Sequence, residues 1–143
     1  LLLFGGGLSL AAVISGTGVD RYIAAIFTGL EGSSLLIVLL LVTALVIFLT
    51  ELTSNTAIAN TFVPIMAAVG IGLGLPVMPL LVAVAVAASF AFMLPVATPP
   101  NAVVFSSGMV SIGQMARAGL ALNIVAIGVV AVAAWFAGPT LCG

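Results

Sequence analysis

From Leu52 to Ala116 the chain carries no formal charge. Uncharged apolar runs of about 18 residues or more mark segments that cross a membrane, and this interval spans several such lengths. The whole chain of 143 residues holds only two basic and three acidic side chains. These are Asp20, Arg21, Glu31, Glu51 and Arg117. Charged residues make up 3% of the sequence and hydrophobic ones 64%, against about 25% charged in a soluble domain. Such a chain cannot cover a water-facing surface. Barrel strands would alternate apolar and polar residues over units of roughly ten, which this sequence does not do. The class is an all-α integral membrane protein.

Composition also removes functions. Lysine is absent and arginine occurs twice, so there is no basic face for nucleic acid. With no histidine and a single cysteine, Cys142, metal and thiol chemistry are poorly supplied, and no cofactor is expected. No activated nucleophile or acid–base pair stands out, which argues against an enzyme. The chain begins LLLFGGG without an initiator methionine, a basic leader or a cleavage pattern. It reads as a piece of a longer membrane protein.

Four segments follow along the chain. Residues 1–30 form an apolar stretch broken by glycines and by the Asp20–Arg21 pair, read as a local charge pair at the interface. EGSS at 31–34 is a turn with capping serines. Residues 35–72 are two apolar arms around the polar string TELTSNT, 50–56. Each arm is roughly 15 residues, or about 23 Å of helix, short of the roughly 30 Å hydrocarbon core. A re-entrant hairpin with its polar tip inside the bilayer fits these lengths, as do two short tilted spans joined by a wet loop. After the turn GIGLGLPVMP, residues 78–110 hold an apolar helix to Leu94, the break PVATPPNA, and a short helix from Ala102. The polar connection SIGQMARAG precedes a final span within 116–138, where Trp135 is placed as an aromatic anchor at the interface.

The break and the knot are complementary. In a continuous helix Pro95, Pro99 and Pro100 would free the carbonyls of Ala91, Pro95 and Val96. Freed carbonyls in lipid survive only where protein or a wet cavity receives them, and with the Thr98 hydroxyl they suit a hard cation such as Na⁺. At the knot, Asn55 or Thr56 would open the next helix, and Asn101 would open the half-helix after the break. Helix N-termini offer free N–H groups and the positive dipole end to a carboxylate. Two broken helices meeting at mid-membrane are how secondary transporters build such sites.

The string TELTSNTA (50–57), followed by FMLPVATPPNAVVF (92–105), resembles the divalent anion/sodium symporter family, and LLLFGGGLSLA (1–11) is similar to the segment ahead of that family's second hairpin. The resemblance implies half of an inverted-repeat elevator transporter, the second repeat, with the N-terminal repeat outside this chain. It implies secondary active transport of dicarboxylates, succinate- or malate-like or citrate, with Na⁺ as the coupling ion. Ser54, Asn55, Thr56, Thr98 and Pro99 would then touch the di- or tricarboxylate anion. Thr50, Thr53, Asn55 and Ala97 would surround the sodium ion. The full-length protein would be a homodimer, multi-pass in the cell (inner or plasma) membrane, with Arg117 on the cytoplasmic side. An anion exchanger or proton-coupled carrier of the same fold and a channel-like membrane subunit are the competing readings. Glu51 is read as an acceptor of hydrogen bonds that hold the hairpin tip, rather than as a proton relay.

Overall fold

A computed structural model describes Val13, Thr17 and residues 34–141, with side chains placed through Ala137. Val13 and Thr17 are helical, and the Thr17 hydroxyl donates to the Val13 carbonyl at 2.6 Å. The Asp20–Arg21 pair, Cys142 and nearly all of the expected 1–30 segment lie outside the described residues.

Five helices follow: α1 Leu35–Thr50, α2 Asn55–Gly72, α3 Val77–Ala87, α4 Pro99–Ser106 and α5 Ile112–Leu141. No strand occurs among the described residues. By length and hydropathy, Asn55–Gly72 and Ile112–Ala137 qualify as membrane-crossing helices. α1, with 16 residues, is shorter than a full crossing needs.

α1, α3 and α5 pack on one another, and α2 leans mainly on α3 rather than on α1. The two arms around the polar turn are therefore splayed, with α3 against both. The buried positions show how. On α1, Val38, Leu39, Val42, Val46 and Ile47 recur at helical spacing. On α3, Leu80, Ala83, Val84 and Ala87 form the matching stripe. α5 buries a narrow line of Met115, Gly119, Asn123, Ala126, Val130 and Ala134, steps of three and four residues along one face. Elsewhere α5 exposes large apolar side chains, including Ile124, Val125, Val129 and Phe136, which suits lipid or protein beyond these residues. Trp135 is 44% exposed and meets Phe136 edge to face at 4.9 Å.

Three boundaries differ from the sequence reading. The helix expected to reach Leu94 stops at Ala87, leaving 88–98 non-helical. Side chains from elsewhere take the backbone groups of this stretch, which removes the need for helical pairing. α4 starts at Pro99 rather than at Ala102, with Thr98 as its N-cap. α5 starts at Ile112, so most of the polar connection is already helix. Its start is a capping box: Ser111 Oγ accepts from the Gln114 N–H at 3.3 Å, and Gln114 Oε1 accepts from the Ser111 N–H at 2.9 Å.

Candidate functional site

The turn between α1 and α2 comprises Glu51, Leu52, Thr53 and Ser54. Ser54 is the N-cap of α2, in extended conformation, and its carbonyl accepts from the Ile58 N–H at 3.0 Å. The helix therefore begins at Asn55, ahead of the expected start near Ala57, and the cap falls on Ser54 rather than on Asn55 or Thr56. The Ser54 hydroxyl makes no capping bond, so the free N–H groups at this terminus are not filled by the cap side chain.

Thr50, the last residue of α1, is fully buried. Its hydroxyl lies 2.6 Å from Asn55 Oδ1 and 3.0 Å from the Ala88 carbonyl. One hydroxyl proton faces two acceptors, and the ends of α1 and α3 and the start of α2 meet there. Thr53 is exposed and donates back to the Leu49 carbonyl at 2.9 Å. Asn55 is half-buried, and Ser54 and Thr56 are exposed.

Glu51 is 3% exposed, and each of its partners is an N–H. Oε1 accepts from Phe92 N at 2.7 Å, Met93 N at 2.9 Å and Asn123 Nδ2 at 2.8 Å. Oε2 accepts from Met93 N at 3.1 Å and Leu94 N at 3.2 Å. The carboxylate ties the polar turn to the broken segment and to α5 at once. This agrees with the reading of Glu51 as an acceptor that holds the tip.

On the other side of the break, Asn101 does not open a helix. It sits in the first turn of α4 and turns its amide back, donating to the Ala91 carbonyl at 2.8 Å and the Leu94 carbonyl at 3.0 Å. The Ala91 carbonyl is the group expected to be freed by Pro95 and left for a cation; Asn101 takes it instead. Thr98 accepts from the Asn101 N–H at 3.4 Å, and Pro99 follows at the first helical position, where a missing N–H costs nothing.

Between the turn and the break lies an open cavity of about 300 Å³ lined by Glu51, Leu52, Thr53, Ser54, Val96 and Ala97. It brings Thr53, Ser54 and Ala97 onto one space. Asn55, Thr50, Thr56, Thr98 and Pro99 lie within two positions of that lining in sequence but are not part of it. Apart from the Glu51 carboxylate, already engaged by N–H groups, the side-chain oxygens gathered around the turn are neutral, with Thr50 Oγ1 and Asn55 Oδ1 paired. That chemistry fits a hard cation.

Two polar positions escaped the sequence reading. Asn123 is fully buried on α5, and its Oδ1 has no partner. A single amide in the otherwise apolar run Leu120–Ala137 was the available signal. Pro64 lies inside α2 and removes the N–H that would bond the Asn60 carbonyl, and Asn60 Nδ2 is itself buried and unpartnered.

The profile of the sodium:sulfate symporter transmembrane region matches residues 1–142. The chain is 43% identical over all its 143 residues to the sodium-dependent dicarboxylate transporter SdcS of Staphylococcus saprophyticus. It is 40% identical over the same length to SdcS of Staphylococcus aureus. An uncharacterized transporter of Haemophilus influenzae is 46% identical over 132 residues, 92% of the chain. The chain spans 28% of the length of the two SdcS proteins and 29% of the Haemophilus protein. With a full-length profile match and full-length identity well above 30%, the chain belongs to the sodium:sulfate symporter family of membrane transporters, the divalent anion/sodium symporters.

Proposed function

We propose that this chain forms one of two anion- and sodium-binding halves of a secondary transporter that carries C4-type dicarboxylates together with Na⁺. The observation that supports this most is the cavity that joins Thr53 and Ser54 of the polar turn to Val96 and Ala97 of the broken segment. Both walls are backed by unwound chain next to a helix start, α2 on one side and α4 on the other. Helix N-termini favour a carboxylate, and unwound carbonyls and hydroxyls favour a hard cation. The relatives' names, sodium-dependent dicarboxylate transporter, point to the same pair of ligands.

In this reading Ser54, Asn55, Thr56, Thr98 and Pro99 contact the anion. Thr50, Thr53, Asn55 and Ala97 hold the sodium ion, with Asn55 shared between the two. Na⁺ supplies positive charge that the site otherwise lacks, since Glu51 is already engaged by N–H donors and Arg117 lies on α5 away from the cavity lining. Na⁺ binding orders the turn and so pre-forms the anion site. The hairpin 35–72 is re-entrant, and the broken segment moves with it in an elevator-like step against the rest of a homodimeric, multi-pass protein in the cell membrane. A first, inverted repeat outside this chain completes the second half of the site.

The test is uptake of labelled succinate by the full-length transporter in proteoliposomes. Uptake that saturates with succinate and vanishes when choline replaces Na⁺ is expected. Uptake that needs only internal counter-substrate identifies an exchanger, and non-saturating conductance identifies a channel; either result defeats the proposal.

A further inference from the structure

The Glu51 carboxylate and the backbone of 92–94 converge on one face of α5. A Cβ built on Gly119 would lie 2.5 Å from Met93 Cα and would also overlap the Phe92 carbonyl. Both neighbours are main chain and cannot step aside. One turn further on, Asn123 presents its Nδ2 to Glu51 Oε1 at 2.8 Å, the same oxygen that accepts from Phe92 N and Met93 N. Residues four apart share a helix face. The broken segment is thus pressed on the helix where there is no side chain, and held through Glu51 where there is an amide.

We propose that Gly119 and Asn123 form a seat on α5 that positions the broken segment and, through Glu51, sets the separation of the cavity walls. Glu51, Leu52, Thr53 and Ser54 make one wall, and two residues past the seated Leu94 the chain reaches Val96 and Ala97, the other wall. At the seat a third element, α5, meets both. Asn123 uses only one end of its amide, because its buried Oδ1 is unpartnered. Leucine would fill a similar volume without that unmet acceptor, so the donor to Glu51 is what the asparagine contributes. Gly119 and Asn123 are positioning residues; neither lines the cavity.

The binding arm of the test rests on the proposed function, and the exchange arm does not. Full-length transporter in detergent is prepared as wild type, Asn123→Leu, Gly119→Ala and, as a control on the exposed side of α5, Ile124→Ala. Hydrogen exchange is followed for peptides covering 92–98 and 50–56, beside the global thermal midpoint. Succinate affinity is measured by calorimetry in Na⁺. Both seat variants are expected to exchange 92–94 about tenfold faster or more, as loss of about 1.4 kcal/mol of local protection gives. They are also expected to bind succinate about tenfold more weakly, while Ile124→Ala matches wild type. If Gly119→Ala does not fold, Asn123→Leu carries the test alone. Unchanged exchange at 92–94 in folded Asn123→Leu overturns the seat, as does a rise spread evenly over the protein. Faster local exchange with unchanged succinate affinity overturns its control of the cavity. Wild type that binds no succinate in Na⁺ defeats the functional reading, and exchange then decides the seat by itself.

Discussion

Thr50 and Asn55 meet across the polar turn, with the Thr50 hydroxyl 2.6 Å from Asn55 Oδ1 and 3.0 Å from the Ala88 carbonyl. One buried hydroxyl thereby links the end of α1, the start of α2 and the residue that closes α3. Thr50→Val keeps the shape and removes the donor, leaving two acceptors without it. A cost of roughly 1–3 kcal/mol is expected, read as a lower thermal midpoint of the full-length protein. Weaker Na⁺ affinity should accompany it, and an unchanged midpoint would show that the link carries no stability.

Glu51→Gln puts an NH₂ group against N–H donors that now face a carboxylate oxygen. Two or three of the contacts from Phe92, Met93, Leu94 and Asn123 are lost or become repulsive. Bonds to a charged acceptor are worth about 1.5–3 kcal/mol each, so a clear loss of stability and of succinate affinity is expected. Because the carboxylate holds structure rather than relaying protons, the pH dependence of residual uptake should match wild type. A flattened pH profile in Glu51→Gln would revive the relay reading.

Asn101→Leu strands the Ala91 carbonyl and takes one of two donors from the Leu94 carbonyl, which keeps the Ala97 N–H at 3.1 Å. One unpaired buried carbonyl costs about 1–3 kcal/mol. α4 should still form, since Thr98 caps it and Pro99 opens it. Destabilisation with wild-type helix content by circular dichroism is the expected result.

Ser111→Ala removes one half of the capping box at the start of α5. A loss of about 0.5–2 kcal/mol is expected, with succinate and Na⁺ affinities unchanged, because the box neither lines the cavity nor bonds to Glu51 or the broken segment. Binding measured beside thermal unfolding separates the two effects.

These residues also show which parts of the molecule could be read in advance. The polar knot in TELTSNT and the proline-rich break were legible because polar and helix-breaking residues in an apolar chain are conspicuous. Where each helix starts again was less so. Asparagine caps well, yet Ser54 and Thr98 hold the cap positions, and Asn101 is drawn back by carbonyls that only the unwound chain presents. The early end of α3 at Ala87 could not be read locally, since the group that takes the 92–94 amides is Glu51, about 40 positions away along the chain. Asn123 was passed over for the same reason: its partner lies on a different helix. The Ser-Ile-Gly-Gln start of α5, by contrast, was a local signal, concealed by reading SIGQMARAG as a loop for its polarity.

The central claim is that one polar turn serves both ligands, with Asn55 shared between sodium and anion. Its most direct test is a pair of titrations on full-length wild type and Asn55→Ala: succinate at saturating Na⁺, and Na⁺ at fixed succinate. The account predicts that Asn55→Ala weakens both affinities, each about tenfold or more, as loss of a ligand-contacting group of about 1.5–3 kcal/mol implies. Loss of one affinity with the other intact would contradict it.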